Sequence, residues 1–226
     1  MLSKRLLCCA EMVKGSVIAD IGTDHAGLPI YLVKNGICER AYACDIAEGP
    51  LSFAEKNIAK AGLEGRISTV LSDGFERLTD DSISDVVIAG MGGEMIRDIL
   101  ANGQEKVRRA NLVLQPNTRA WELIDWLSRN GYGVLEQRAV ADGKFIYPVI
   151  NAKYSGLIKA FSQAECLVAG LNLSEDISRE YLVAQIKRLR DAANGMKKGS
   201  YADNDDISEL ESTADEIEKL LKEATK

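Results

Sequence analysis

The stretch VIADIGTDHAGLP, from Val17 to Pro29, decides the fold of this chain. An apolar run that suits a buried strand leads through a glycine turn into a helical pattern, which is where a Rossmann-type fold binds a nucleotide. The dinucleotide fingerprint G-x-G-x-x-G is absent, because the turn contains only Gly22 and Gly27. The stretch therefore predicts a Rossmann-like strand, turn and helix whose ligand differs from a dinucleotide.

The charges in this turn indicate the class of ligand. Asp20 lies near the end of the strand and Asp24 lies within the turn. Two carboxylates repel a pyrophosphate and attract a cation. S-adenosylmethionine carries an ammonium group and a sulfonium and has no phosphate, so we expect it as the cofactor. His25 is the only histidine of the chain, and a lone histidine more often has a structural role than a catalytic one.

Strand and helix patterns alternate on either side of this turn. Nearly continuous apolar strands separated by helices predict a parallel sheet that is covered on both faces. An Asp-Gly turn at Asp142 then predicts a β-hairpin between residues 131 and 154. The five predicted parallel strands cover residues 16–21, 40–46, 66–72, 84–91 and 111–117. We assign residues 1–154 to this α/β domain.

Polar or glycine signals follow each of these strands. Asp45 ends the second strand, where an acidic side chain binds ribose hydroxyls. The third ends in Ser-Asp-Gly at 72–74, where a carboxylate can meet an adenine amino group. The fourth ends in AGMGGE at 89–94 and the fifth in QPN at 115–117. Each signal alone also fits a turn or a helix cap, but together they predict one binding edge.

Residues 155–226 have a helical periodicity in three pieces. Leu157 opens an apolar stripe in the first piece, and Ser174 is the predicted cap of the second. A polar link at 195–206 precedes the third. Apolar spacings of three and four predict a helical hairpin with coiled-coil-like packing. We call residues 155–226 the helical tail.

Composition restricts the class of protein. The net charge of −6 taken alone argues against a nucleic-acid partner, although a local basic patch can oppose the net sign. Five cysteines without C-x-x-C spacing predict neither a disulfide framework nor a metal site, and favour the cytoplasm. No apolar run approaches the roughly 20 residues of a membrane helix. The first 15 residues favour an amphipathic helix over a signal peptide.

Several motifs together resemble a known family. LSKRL, ADIGTDHAGLPIYL, DIAEGPLSFAEKNI, DVVIAGMGGEMI, LVLQPN and DGKFIYPVI are similar to the bacterial tRNA (adenine-N1)-methyltransferases of the TrmK type. The resemblance covers about residues 2–154 and continues more loosely into the helical tail. It implies the class I methyltransferase fold, with a seven-stranded Rossmann-like sheet, an antiparallel last strand and a coiled-coil-like tail. It also implies methylation of N1 of adenine 22 in tRNA by S-adenosylmethionine.

The resemblance assigns site residues by motif. For the cofactor these are Asp20, Gly22, Thr23, Asp24 and His25 at the methionine end, Asp45 and Ile46 at the ribose, Asp73 and Gly74 at the adenine, and Gly90, Met91, Gly92 and Gly93 in the wall facing the target base. Gln115, Pro116 and Asn117 are expected to border the base pocket.

The charge that develops on the methylated adenine needs a stabilising acceptor. The candidates are a backbone carbonyl of the Gly90–Met91 stretch and the side chains of Asn117 and Asp24, and the sequence does not choose among them. Basic residues proposed to contact tRNA are Lys4, Arg5, Arg108, Arg109, Arg119 and the group at 187–190. The helical tail either clamps tRNA or mediates dimerisation, and the oligomeric state stays open between a monomer and a weak dimer.

Three other functions compete with this one. A class I methyltransferase acting on a small molecule or a protein shares every cofactor argument. An NAD-dependent oxidoreductase is disfavoured, because the glycines of the dinucleotide fingerprint are missing and the first turn contains two carboxylates. A non-enzymatic RNA- or protein-binding module is the least favoured alternative, because it does not explain why all five strand ends carry polar or glycine signals.

Overall fold

Seven strands form one sheet within residues 2–198 and 204–224, which are the residues that the computed structural model describes. They are β1 (Val17–Ile21), β2 (Arg40–Asp45), β3 (Ile67–Leu71), β4 (Asp85–Gly92), β5 (Asn111–Thr118), β6 (Tyr132–Asp142) and β7 (Phe145–Tyr154). The order across the sheet is β3-β2-β1-β4-β5-β7-β6. Only the pairings of β7 are antiparallel. The predicted sheet and its terminal hairpin are therefore confirmed.

Helices cover both faces of the sheet. They are α1 (Lys4–Met12), α2 (Gly27–Lys34), α3 (Glu48–Ala61), α4 (Gly93–Asn102), α5 (Gln104–Val107) and α6 (Ala120–Arg129). One apolar core joins α1, α2 and α3 to the sheet and contains Leu32 and Ile58. A second core on the opposite face contains Ile96 of α4 and Leu123 of α6. Burial on both faces explains why the central strands are apolar along nearly their whole length.

The N-terminal helix α1 is part of the domain. Its cap is Ser3, whose hydroxyl accepts a hydrogen bond from the backbone N–H of Leu6 at 3.4 Å. Its apolar face buries Cys9 and Met12 almost completely, and the helix contacts β4, β5, β6 and β7. The predicted amphipathic helix is confirmed, and its packing brings Arg5 over the sheet.

The helical tail contains α7 (Gln163–Val168), α8 (Asp176–Lys197) and α9 (Asn204–Ala224). Helices α8 and α9 pair as a hairpin, with ion pairs from Arg190 to Asp215 and Glu218 and from Lys197 to Glu211. The predicted helical hairpin is confirmed. Residues 199–203 of the predicted polar link lie outside the described part of the chain.

Two details of the predicted tail are wrong. The stripe that opens at Leu157 is not helical before Gln163, and the Leu157 side chain is 69% exposed. The cap of α8 is Glu175 rather than Ser174. The Ser174 hydroxyl instead donates to Asn172 Oδ1 at 2.7 Å, because these two residues form a local turn that competes with capping.

The tail packs against the α/β domain. Cys166 of α7 is buried in the core that contains α6. A third cluster joins Tyr181 and Leu182 of α8 to Ala139 of β6. The backbone N–H of Gln137 in β6 donates to the carbonyl of Gly170 at 2.8 Å. The boundary at residue 154 stays a prediction, but the chain on both sides of it shares apolar surface.

All five cysteines are buried and free. Burial raises the pKa of the Cys8 thiol from 9.0 to about 11, so this group stays protonated near neutral pH. Among the described residues no helix is both long and apolar enough to cross a membrane.

Candidate cofactor and base site

The carboxyl ends of β1, β2, β4 and β5 meet at one edge of the sheet, which we call the carboxyl edge. A cavity of about 370 Å³ opens there. Its lining includes six residues that the sequence assigned to the cofactor, Asp20, Gly22, Asp24, Asp45, Gly90 and Met91, and also Gln115, which it assigned to the base pocket. Helix α1 closes one side of this cavity with Ser3, Arg5 and Leu6.

The turn after β1 has the sharp geometry that its glycine implies. Gly22 has a φ of +76°, and a methyl group added there would lie 2.0 Å from Met91 Cε. The backbone N–H groups of Gly22 and Thr23 both donate to the carbonyl of Cys44 in β2 at 2.8 Å. His25 and Ala26 continue the turn in the left-handed region. The neighbouring strand therefore holds the turn in one conformation.

Asp20 is a buried carboxylate without a cationic partner. Its residue is 6% exposed, and no basic side chain among the described residues forms an ion pair with it. Burial raises the pKa of Asp20 from 3.8 to about 6, and the nearby carboxylates of Asp24 and Asp45 raise it further, whereas Thr23 lowers it. The Thr23 hydroxyl is itself buried and makes no hydrogen bond of standard geometry in the described chain. A buried carboxylate beside a buried hydroxyl fits an ammonium or sulfonium ligand.

Asp24 lines the cavity, whereas the predicted residue His25 lies next to it in the turn and is not part of the lining. His25 Nε2 is 3.1 Å from Asp24 Oδ1, and the Asp24 side chain is 87% exposed. The His25 ring contacts Phe53 edge to face, with centroids 5.1 Å apart. The His25 carbonyl accepts a hydrogen bond from Asn57 Nδ2 at 3.0 Å. His25 thus has structural partners on two sides, and its imidazole remains half exposed beside the predicted methionine end.

The predicted ribose and adenine residues follow β2 and β3. Asp45 Oδ1 accepts a hydrogen bond from the backbone N–H of Ala47 at 2.8 Å, which orients the carboxylate at the strand end. Ile46 is 69% exposed beside it and offers an apolar surface to a planar ring. Asp73 is also exposed, and Gly74 has a φ of +53°. These residues lie along the same edge as Asp20.

The ends of β4 and β5 are joined by side-chain hydrogen bonds. Gly90 has a φ of +84°, and its carbonyl accepts a hydrogen bond from Asn117 Nδ2 at 2.7 Å. Gln115 is buried, and its Nε2 donates to the Pro116 carbonyl at 3.0 Å. The register between β4 and β5 shifts at Met91. The predicted wall and base-pocket residues are therefore in direct contact.

Arg5 of α1 connects this wall to the tip of the β6–β7 hairpin. Its Nη1 donates to Asn117 Oδ1 at 2.6 Å and to Gln115 Oε1 at 3.0 Å. Its Nε donates to Asp142 Oδ2 at 2.9 Å. Its guanidinium carbon lies 4.4 Å from the ring centroid of Tyr147. The sequence predicted Arg5 as a tRNA contact and did not predict a role for Asp142 or Tyr147. Both residues lie in the DGKFIYPVI motif, which was the one sequence feature that pointed to this hairpin.

The remaining basic candidates are dispersed. Lys4 is exposed on α1 next to Arg5. Arg108 and Arg109 precede β5 and therefore lie at the opposite edge of the sheet from the cavity. Arg119 forms ion pairs with Glu94 and Glu122, and Arg190 and Lys187 pair with acidic residues of the tail. Lys4, Arg5 and Arg119 are near the carboxyl edge, and Arg188 of α8 lines a cavity together with Asn117 and Arg119.

A second, larger cavity of about 910 Å³ adjoins the site. It lies between Pro116–Glu122, the hairpin tip and α8 of the tail, and Phe145, Tyr147 and Arg188 are among its lining residues. We call it the tail groove. Because Gln115 lines the cofactor cavity and Asn117 lines the tail groove, the two spaces meet at the end of β5.

Comparisons with known proteins agree with this geometry. A family model described as "Methyltransferase domain" matches residues 2–150. The tRNA (adenine(22)-N(1))-methyltransferase of Bacillus subtilis is 34% identical over 189 residues, which cover 83% of this chain and 79% of that protein. The crystal structure of the B. subtilis M1A22 tRNA methyltransferase TrmK matches with a TM-score of 0.82 and 30% identity, over 100% of this chain and 99% of the other. The structure of M. capricolum TrmK in complex with S-adenosyl-homocysteine matches with a TM-score of 0.81 and 31% identity, over 98% of both chains.

Proposed function

This chain belongs to the family of the tRNA (adenine(22)-N(1))-methyltransferases, and from that membership we infer that it methylates N1 of adenine 22 in tRNA with S-adenosylmethionine. The observation that carries the reaction class is the cavity at the carboxyl edge, where the buried carboxylate of Asp20 has no basic partner within the described part of the chain. A relative of the same fold binds S-adenosyl-homocysteine, the product of such a transfer. The nicotinamide alternative finds no support.

The residues of the first turn fit the cofactor. The Asp20 carboxylate and the Thr23 hydroxyl would face the cationic methionine portion, since both are buried and neither pairs with a basic side chain of the described residues. Asp45 would accept hydrogen bonds from the ribose through its strand-end carboxylate. Ile46 would pack against the adenine, with Asp73 and Gly74 near its edge. These assignments are proposals that rest on placement and chemistry.

The chain has little proton chemistry to perform. N1 of adenine already has an in-plane lone pair, so no base is needed before attack. When bound, S-adenosylmethionine supplies the methyl group: the N1 lone pair forms the new N–C bond while the C–S bond breaks and its electron pair goes to sulfur. The protein has to expose N1, which lies on the Watson–Crick edge, and hold the adenine in line at near-attack distance. The product adenine is a cation.

The end of β5 and the Gly90 turn are the proposed acceptor side. The Gly90 carbonyl has a second lone pair beside the one that Asn117 Nδ2 uses. A carbonyl in this position could accept a hydrogen bond from the exocyclic amine of the target adenine, and Asn117 would hold that carbonyl in place. Asp24 is the alternative acceptor, because its exposed carboxylate lies at the mouth of the same cavity. Met91 would contribute by packing in the cavity wall, since its side chain lies against the Gly22 turn.

One experiment tests the reaction directly. Unmodified tRNA is incubated with the protein and methyl-labelled S-adenosylmethionine, and the label is mapped by nucleoside analysis. We expect 1-methyladenosine at position 22. Label in a different nucleoside, or in a protein or small molecule but never in tRNA, would contradict the proposed substrate.

The role of the helical tail, the oligomeric state and the cytoplasmic location remain proposals. We propose that the tail contacts tRNA, because the tail groove opens beside the base site and Arg188 lines it. A charge-reversal variant at Lys4 or Arg188 should reduce the slope of log tRNA affinity against log salt by about one if that residue contacts a phosphate. The same experiment at Arg109, at the opposite edge of the sheet, is the control.

A further inference from the structure

An exposed aromatic side chain lies beside the base site. Phe145 is 55% exposed, although it is a large apolar residue on a strand of the central sheet. It pairs with Asp142 across the tip of the β6–β7 hairpin, so the connecting turn has two residues. The tip is short and paired, and Phe145 is therefore displayed on a fixed strand rather than on a loose loop.

Neighbouring side chains hold the Phe145 ring from one side. Tyr147 is two residues further along β7 and therefore points to the same face. The two rings contact edge to face, with centroids 6.1 Å apart and planes inclined at 70°. Tyr147 is in turn covered by the Arg5 guanidinium, which Asp142 and Asn117 fix through hydrogen bonds. A chain of contacts thus runs from the exposed ring to the end of β5.

The position of this ring relative to both cavities indicates what it contacts. Phe145 and Asn117 line the tail groove together, whereas Gln115 and Gly90 line the cofactor cavity. An acceptor molecule in the tail groove would meet a methyl donor in the cofactor cavity at the Gly90–Asn117 contact. A base taken out of its stack needs a new stacking surface, and aromatic side chains provide one. Lys144, in the turn next to Phe145, is exposed and basic, which suits a nucleic acid.

We propose that Phe145 is the surface on which the target adenine stacks while it is methylated. This inference rests on the proposed tRNA substrate and adds a positioning contact for that same reaction. Tyr147 and Arg5 fix the ring, and the Gly90–Asn117 contact fixes the opposite side of the base site. The Phe145 side chain contributes no chemistry beyond the position of the base.

A double-mutant cycle between protein and RNA tests the contact. The protein variants are Phe145→Leu and Phe145→Trp, and the RNA is tRNA with adenine or an abasic nucleotide at position 22. Phe145→Leu should weaken binding of the adenine-containing tRNA by at least about fivefold and leave the affinity for the abasic tRNA unchanged. Phe145→Trp should restore most of the affinity. Equal losses for both RNAs would overturn the contact with the target adenine.

Kinetic and control measurements complete the test. In steady state Phe145→Leu should lower kcat as well as kcat/KM for tRNA, because a poorly held adenine reaches the methyl group less often. A loss confined to KM would instead assign the ring to a flanking base and refute the proposal. The affinity for S-adenosylmethionine and the salt slope of tRNA binding should not change. Leu135→Ala, at a 56% exposed residue of β6, is the matched control and should behave like the wild type.

These outcomes separate the inference from the proposed function. If Phe145→Leu methylates adenine 22 with unaltered kinetics, the stacking contact fails while the tRNA activity stands. If neither the wild type nor any variant labels tRNA, the proposed function itself fails.

Discussion

The substitution Asp20→Asn should stabilise the protein and abolish cofactor binding at the same time. The carboxylate is buried, and its pKa rises from 3.8 to about 6 on folding. A shift of about two pH units corresponds to about 3 kcal/mol of unfolding free energy, which the ionised form loses when it is buried. A neutral amide avoids that loss, although its own burial takes back about 1–2 kcal/mol. We expect a net gain of about 1–2 kcal/mol at pH 7.5, or about 2–8 °C in Tm.

The sign of the pH dependence follows from the direction of this shift. The folded state binds the proton of Asp20 more tightly than the unfolded state does, so the penalty is absent below pH 4, grows between pH 4 and 6, and is complete above pH 6. The advantage of the variant should therefore be largest at pH 7.5 and should reverse near pH 4, where only the cost of burying the amide, about 1–2 kcal/mol, remains. The affinity of the wild type for S-adenosylmethionine should fall by up to tenfold per pH unit below pH 6, because only the carboxylate attracts the cation.

Thermal unfolding and calorimetric titration check both parts. Saturating S-adenosylmethionine should raise the Tm of the wild type and leave that of Asp20→Asn unchanged. Asp24→Asn is the control for stability, since that carboxylate is exposed in the same turn and its neutralisation should change the unfolding free energy by less than about 0.5 kcal/mol. An Asp20→Asn protein that is no more stable at pH 7.5, or that still binds the cofactor with wild-type affinity, would refute the electrostatic role of this residue.

The remaining predictions concern the turn and the wall of the base site. Gly22→Ala should weaken cofactor binding, because a side chain at φ +76° is strained and the added methyl group, 2.0 Å from Met91 Cε, would displace the end of the Met91 side chain in the cavity wall. Titration with S-adenosylmethionine would show this, and wild-type affinity would contradict it. Asn117→Ala should lower kcat at least tenfold with little change in cofactor affinity, because the Gly90 carbonyl loses the side chain that holds it. Asp24→Ala should lower kcat only if Asp24 is the acceptor. Unchanged turnover in both variants would exclude both side chains as acceptors or supports of the target adenine. Arg5→Lys should lower kcat, since a lysine cannot bridge Asn117 and Asp142 at once. The slope of log tRNA affinity against log salt should stay unchanged. A slope reduced by about one would instead show that Arg5 contacts a phosphate.

Local sequence patterns predicted the sheet because the signals themselves are local. The strand that ends in Asp20 and the turn at Gly22 have distinctive patterns over a few residues, and the Asp-Gly turn at 142 marks the hairpin. The cofactor residues could be predicted from the same strand pattern, since parallel strands bring their carboxyl ends to one edge of the sheet. The resemblance to a family then supplied the substrate, which charge and spacing alone left open.

Contacts between distant parts of the chain escaped prediction. Arg5 and Asp142 are 137 residues apart, and nothing in either segment signals the other. The packing of α1 across the sheet is what pairs them, so Arg5 appears from the sequence as a free basic residue. Arg109 is a different case, because it precedes the predicted strand at 111–117, and the rule that brings the carboxyl ends of parallel strands to one edge already places it at the opposite edge. Ser174 failed as a cap because Asn172 binds its hydroxyl.

The pairing of β6 with the tail limits how the protein can be dissected. Strand β6 is 11 residues long and is an outer strand of the sheet, and the segment at Gly170 hydrogen-bonds to it at Gln137. A fragment that stops at residue 154 would leave the backbone N–H of Gln137 without the Gly170 carbonyl and would uncover the apolar surface that Tyr181 now covers. Open strands with bare apolar neighbours self-associate. Single substitutions in the intact chain are therefore the sound way to ask what the tail does.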